Sequence, residues 1–409
     1  MTLPTKIMHS TTAGNAPSSL LTGQIALNEQ DRKLFYLDPQ AAAPKSLLDQ
    51  LMAFTKWENM FYNPACEVDQ EHIGNAVTGV GASANQYLID GVCLGTTGTP
   101  TARFTSQLTP ADVPAGYGNC LKISTTTAQA SLTTGQDVFI RLPIELGTLN
   151  RLNWGGSSAA AVSLAFYFRA NRTGQYGGSF CSPNGATKRS YTFSFTYNSA
   201  GVWQYIAVTI PGDTGAFYSG VTVVEVRISL GAGSTLLTAA GTWTTGTFSS
   251  ATGQINAVAA TTDYAEITGQ MLFRSNILVP VDRAPFMMPR LQDAVPFCER
   301  YYEKSQNLNS VPGTAEQTGM AQFTLTGLGA QNGPIVSVPF HTRKRNASGS
   351  ITAWSPATGT VSKVREYLSG ADIAYTINQV GENDYSIAPT QSGATGFNLG
   401  WHWLCDIRM

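Results

Sequence analysis

Charge is what this sequence has least of. Only 12% of the residues are Asp, Glu, Lys or Arg, about half the ~25% usual in soluble domains. The 25 basic and 26 acidic residues leave a net charge of -1, so no overall positive field draws the chain to nucleic acid or to an anionic membrane. Long apolar runs are missing as well. Nowhere do about 18 apolar residues follow one another, and the opening MTLPTKIMHSTTAG lacks the apolar centre of a signal peptide. The expectation is synthesis in a cytosol with no membrane insertion. The six cysteines (Cys66, Cys93, Cys120, Cys181, Cys298, Cys405) form no CxxC and have no closely spaced histidine, which fits neither a zinc site nor a small disulfide scaffold and predicts buried free thiols.

Catalytic signatures are also absent. His9, His72, His341 and His402 stand far apart with no HxxxH or HExxH, no GxSxG occurs, and the nearest approach to a phosphate loop, Gly231-Ala232-Gly233, lies in a Thr/Ala loop rather than before a helix. Paired carboxylates are harder to exclude, because a glycosidase draws its two from distant strands. Glu67, Asp69 and Glu71 crowd one loop, while Asp213, Asp263, Glu266, Glu382 and Asp384 flank strand ends; as ordinary turn formers they read first as caps. The expectation is a non-enzyme needing no metal, nucleotide or other cofactor.

What is abundant is glycine, 40 residues, together with Thr and Ser, a composition of short strands and tight turns. At 23–38, GQIALNEQDRKLFYLD places Ile25 and Leu27, then Leu34 and Tyr36, around a polar turn, which predicts a hairpin. A piece this short rarely folds alone, so oligomerisation or docking must stabilise it. Next, Ser46 can cap a helix whose apolar stripe is Leu47, Leu51, Phe54, Trp57 and Phe61. Such a short helix is marginal in water; it either lies on the next domain or packs with its own copies, and the second is favoured.

From 63 to 292 the sequence reads as β, with runs at 138–144, 162–168, 191–197, 202–210 and 221–230 divided by Gly, Asn and Pro clusters. A helix is predicted over 293–304, with Asp293 as N-cap and Phe297, Cys298, Tyr301 and Tyr302 on its apolar side. A polar linker to 317 precedes a second β series over 318–409. The chain is therefore expected to be mostly β: an N-terminal hairpin and short helix (1–62), a large jelly roll or β-sandwich (63–292), a linking helix (293–317) and a smaller C-terminal β-sandwich (318–409).

Aromatic rings stack on the apolar faces of sugars while nearby polar groups satisfy the hydroxyls. Rings outside strong strands are the candidates: Tyr176, Phe217, Tyr218, Trp243 and Trp354, joined by His341, Arg343, Arg345 and Tyr367 in the C-terminal unit. Rings inside strands, namely Trp154, Phe166, Phe168, Phe193, Phe195, Trp203 and Trp401, are assigned to cores. In Trp401-His402-Trp403 the indoles share one face and the imidazole takes the other, the pattern of a satisfied histidine.

The segment HSTTAGNAPSSL followed by GQIALNEQDRKLFYLD resembles the N-terminal attachment module of tailed-phage fibre proteins, through Gly14, Pro17, Leu20, Gly23, Ile25, Ala26, Asn28, Asp31, Leu34, Phe35 and Tyr36, with Gln24 where glutamate is commoner. The middle of the chain is similar to a phage-fibre β-sandwich at 164–169, 174–179, 209–215, 229–234, 267–272 and 298–305, and departs from it at Met271-Leu272-Phe273. The end resembles the sandwich that often follows, at 338–345, 355–359 and 403–406. The resemblance implies a virion protein, a homotrimeric fibre or receptor-binding protein that meets other virion proteins through its N-terminus and host surface polysaccharide through its sandwiches. Two alternatives stay open, a purely structural fibre, collar or head-decoration protein and a polysaccharide depolymerase.

If residues 20–61 drive trimer assembly, replacing both Leu51 and Phe54 with Asp should yield smaller species in multi-angle light scattering. An unchanged mass would refute that role.

Overall fold

The computed structural model of the chain describes residues 8–12, 17–18, 20, 24–30, 33–36, 45–46, 58–184, 186–215, 221, 223–331, 334–390 and 394–409. The architecture is mostly β, as expected. Ile25–Asn28 and Lys33–Tyr36 form the expected antiparallel hairpin, with Met8–Ser10 added in parallel on one side. Its cross-strand pairs Ile25–Tyr36 and Leu27–Leu34 share one half-buried face, while Ala26 and Phe35 on the other are buried together with Leu20. The helix expected from Ser46 is corrected at its start: Ser46 lies in the strand Lys45–Ser46 and pairs with Phe35, because the open edge of the hairpin offers it backbone partners. Leu47, Leu51, Phe54 and Trp57 lie outside the described residues. Phe61 is buried against the large sandwich.

That sandwich stacks two antiparallel sheets. The six-stranded sheet runs Gln204–Ile210, Val162–Ala170, Tyr264–Arg274, Cys120–Thr127, Arg103–Thr109, Val77–Val80. The seven-stranded sheet runs Trp243–Thr245, Arg189–Tyr197, Gly174–Ser182, Val224–Ala232, Asp137–Ile144, Val92–Thr97, Gln86–Ile89. Alternation along Val162–Ala170 sends Val162, Leu164, Phe166 and Phe168 into the core and leaves Tyr167 and Arg169 on the outside. In the core, the Phe168 ring meets Tyr176, Phe195 and Tyr197 at 4.9, 5.5 and 5.6 Å between centroids. Each such side chain contributes about 1.5–3 kcal/mol by leaving water.

The outer face of the seven-stranded sheet is closed by a buried charge network. Glu225 accepts from Arg141 Nε and from Arg227 Nε at 2.6 Å, and Arg227 reaches Ser249 at 3.0 Å and Asp137 at 3.6 Å. Burial pushes the Glu225 carboxyl up, but Arg227 and Arg141 outweigh it and hold the group below the usual range. All six cysteines are buried and free.

The C-terminal sandwich is organised by one long strand, Ala394–Asp406, which pairs with Tyr302–Lys304, Ala321–Gln331, Ser350–Trp354 and Val364–Glu366. A three-stranded sheet, Val336–Pro339, Asp384–Pro389 and Tyr375–Val380, closes the other side. Trp401 and Trp403 enter this core, with Trp401 Nε1 donating to Tyr385 Oη at 2.9 Å. His402 points away, satisfied by Ser305 Oγ at 3.0 Å and the Glu316 carbonyl at 2.8 Å, and burial keeps its pKa below the ordinary value.

The linking helix differs from the expectation. It spans Leu291–Glu299, so Asp293 lies in its first turn rather than at the cap, and Phe297 is 42% exposed. Tyr302–Lys304, read as its last turn, is a strand against Asp406, Cys405 and Leu404, because pairing with the long strand satisfies its backbone while burying Tyr302. The two sandwiches meet at this strand. Gln70 Nε2 donates both to the Tyr302 carbonyl at 2.7 Å and to Asp90 Oδ1 at 3.1 Å, and Asp90 Oδ2 accepts the Gln70 amide at 2.8 Å.

Burial raises the Asp90 carboxyl to about 6, against partial opposition from the Gln70 hydrogen bonds and Arg408. The folded state therefore holds this proton more tightly than the unfolded chain. The associated stability is present below the unfolded pKa near 4 and lost as pH rises through about 6, on the order of 3 kcal/mol. Chemical denaturation of wild type and Asp90→Asn at pH values across that window should show a decline in wild type that the variant lacks. Parallel curves would refute the assignment.

Candidate functional site

The binding residues expected from sequence do not converge. Tyr176 lies in Gly174–Ser182 and is fully buried, contrary to its expected place in a loop, because the glycines around it continue the strand instead of ending it. Trp354 is also a core ring, 1% exposed and tilted against His402 at 6.0 Å. Trp243 lies on the edge strand Trp243–Thr245, its ring set on Trp154 and Tyr191 and its Nε1 bonded to the Pro211 carbonyl at 2.7 Å. Tyr218 and Phe217 lie outside the described residues. Tyr367 is half-buried with its hydroxyl on Met320 Sδ at 3.4 Å. In the basic cluster, Arg343 is exposed and pairs with Glu382, while Arg345 Nε donates to the Ile407 carbonyl at 2.7 Å.

His341 is exposed and approaches Glu303 and Glu299, the three offering ligand atoms within 4.8 Å of one another. Glu303 is already engaged, however. Its carboxylate accepts the His341 amide at 2.8 Å and the Thr342 amide at 3.3 Å and pairs with the buried Lys344 ammonium, so this cluster anchors a turn.

Side chains of the right chemistry gather instead on the outer face of the six-stranded sheet. Register sets Arg169 opposite Glu266 and Glu266 opposite Lys122, with Gln107 next in the row. Arg169 Nε pairs with one Glu266 oxygen, and Lys122 Nζ lies 3.6 Å from the other. The carboxylate is 1% exposed, the Lys122 side chain 42%, so a buried anion holds two cations, one of which faces solvent. Glu266 raises the Arg169 pKa above its usual value.

Two half-buried rings complete the site. Arg169 lies over the Trp203 ring at 5.1 Å, and Lys122 over Tyr264 at 4.8 Å. Trp203 Nε1 donates to the Asp112 carbonyl, and a Cβ placed on Gly201 would stand 3.6 Å from the Tyr264 hydroxyl, so both rings belong to one neighbourhood. The 110–119 loop forms its wall. Tyr117 in that loop meets Tyr167 edge-on at 5.3 Å, and Gly269, at φ +65°, leaves room for the Tyr117 side chain, whose hydroxyl a Cβ there would meet at 2.8 Å and whose ring at 2.9 Å. Beyond the wall, the segment after Tyr264–Arg274 covers Met271 and Phe273 with Val279 and Ala284.

Of these groups, sequence reasoning singled out only Glu266, as a strand-end carboxylate, and it assigned Trp203 to a core. The signal that could have found the site is the outward set Tyr167 and Arg169, which alternates with a fully apolar inward set on the same strand.

No family model matches the sequence, and no curated protein matches it. Among solved structures, the chain is similar to the enzymatically active domain of tailspike protein 4 of bacteriophage CBA120, at 13% identity and TM-score 0.27, over 54% of this chain and 22% of that one. A putative sugar binding protein from Bacteroides thetaiotaomicron matches at 10% identity and TM-score 0.28, over 53% of this chain and all of that one (100%). The xylan-binding domain CBM22-2 of Paenibacillus barcinonensis Xyn10C matches at 13% and 0.26, over 49% and 99%. Scores of this size assign neither a family nor a role.

Replacing Trp354 with Ala should cost about 3–5 kcal/mol in chemical denaturation, as for other core aromatics. A near-neutral change would contradict its burial.

Proposed function

We propose that this chain is a glycan-binding fibre protein of a tailed phage, carried on the virion, in which the N-terminal hairpin region serves assembly and attachment and the large sandwich binds host surface polysaccharide. The observation that supports this reading most is the convergence of Trp203 and Tyr264 with the Arg169–Glu266–Lys122 row on an outer sheet face. The rings offer surfaces to sugar C–H groups, and Lys122, Gln107 and the Asp112 carboxylate offer partners to hydroxyls. The half-buried Arg169, paired with the buried Glu266, keeps the polar row in place without a conformational search.

Such a surface is shallow and binds one glycan weakly. Assembly as a homotrimer, several to a particle, raises effective concentration enough for adsorption. The protein binds polysaccharide and does not cleave it. The N-terminal sequence resemblance to phage attachment modules supports the virion location, and the shortness of the hairpin segment supports its need for partners.

Trp203→Ala and Tyr264→Ala, measured separately, should each weaken adsorption to host cells or to their purified polysaccharide by about 10-fold or more, near 1.4 kcal/mol, with melting temperature within a few degrees of wild type. Polysaccharide chain length should stay constant on prolonged incubation. Unimpaired binding by both variants would overturn the proposed face, and a fall in chain length would overturn the non-catalytic reading.

A further inference from the structure

A groove of about 490 Å³ lies between the 67–74 loop, the end of Arg103–Thr109, Asn119 just ahead of Cys120–Thr127, the start of the linking helix, and Leu308 and Asn309. Its volume is that of a small-ligand site. Gln107, the last member of the polar row on the sheet face, also lines it. The groove therefore continues the proposed glycan surface.

Its chemistry is unlike that surface. The walls carry Leu291 and Leu308, 46% and 40% exposed, and among the described residues no aromatic ring, Lys or Arg lines it. Glu67 is half-buried, and among the described residues its carboxylate accepts no hydrogen bond and pairs with no cation; burial raises its pKa. The neighbouring Asp69 differs, since its carboxylate accepts the His72 and Gly74 amides at 3.0 and 2.8 Å and shapes the loop. The side-chain amides of Asn119 and Asn309, also lining the groove, have no partners among the described residues. Ile73 lines it at φ +57°, a left-handed conformation that β-branched residues rarely adopt and that concentrates at ligand sites.

An unpaired carboxylate in a half-dry groove favours a cationic partner, aliphatic walls favour C–H groups, and two free amides favour hydroxyls. We infer that this groove binds an amino-sugar residue carrying a free, protonated amine, with Glu67 receiving the ammonium, Asn119 and Asn309 the hydroxyls, and Leu291 and Leu308 the apolar ring face. The inference rests on the glycan reading of the adjoining sheet face and adds the sugar class that the site distinguishes. An N-acetylated residue lacks the charge and leaves the carboxylate unpaired.

The test compares binding of a glucosamine tetrasaccharide with its fully N-acetylated counterpart, by calorimetry below the amine pKa, for wild type, Glu67→Gln and Trp203→Ala. Wild type should prefer the free amine by about 10- to 100-fold, as a charge-assisted hydrogen bond provides. Glu67→Gln should lose that preference, keep its melting temperature and bind the acetylated sugar at least as tightly as wild type does. Equal binding of both sugars by wild type, or a preference that survives Glu67→Gln, overturns the inference and leaves the sheet-face reading standing. A preference that Glu67→Gln removes while Trp203→Ala changes nothing supports the groove and overturns the sheet face. If neither sugar binds but a Lys-containing tripeptide does, the groove is a protein-docking site and the inference fails.

Discussion

Arg408 is the side chain on which the relation of the two sandwiches depends. Its guanidinium lies between the rings of Tyr87 and Tyr302, 4.5 Å from each centroid, and bonds to Asp406 at 2.6 Å and Glu71 at 2.5 Å. Tyr87 belongs to the large sandwich and Tyr302 to the C-terminal one. Arg141 adds a second tie through the Met409 carbonyl at 2.7 Å, and the Tyr87 hydroxyl donates to the same oxygen at 2.8 Å. A half-buried cation held by two carboxylates and two rings is costly to strand, because removing a partner leaves its charge poorly compensated away from bulk water. Through Glu71 and Tyr302 the clamp fixes the 67–74 loop against the strand that follows the linking helix. The groove beside Glu67 is a consequence of that fixed spacing.

The two outer faces of the large sandwich show how similar residue types serve different ends. On the seven-stranded side, Arg141, Arg227, Glu225 and Asp137 are nearly inaccessible, capped by the 237–257 segment and by the C-terminal sandwich. Charges there specify packing. On the six-stranded side, Glu266 is similarly sequestered, but Arg169 is only half-buried, Lys122 reaches solvent beside Tyr264, and the 110–119 loop covers only part of the face. A partly covered sheet face bearing rings and a held cation is the surface on which the glycan-binding proposal rests. The thiols play no part in this. Cys93, Cys181 and Cys298 are buried and burial pushes their pKa values up, which keeps them protonated and inert.

The sequence by itself determined the β class, the hairpin at 25–36, the free thiols and the satisfied state of His402, because each follows from local alternation or spacing. Period-2 patterning places Phe166 and Phe168 on one face of a strand whatever their partners are. What it could not supply is which strands lie side by side. Arg169, Glu266 and Lys122 come from three strands separated by long stretches of chain, and only pairing register sets them in a row. The same limit explains the misplaced rings: Tyr176 and Trp354 stand among turn-forming residues yet are enclosed by strands distant in sequence, whereas Trp203 sits in an apolar run yet faces outward beside Arg169. Tyr302–Lys304 likewise reads as helix until Ala394–Asp406 offers its backbone a partner. Local preference selects the element, but burial and backbone pairing with distant strands decide its face and its end, and those contacts exist only in the tertiary structure.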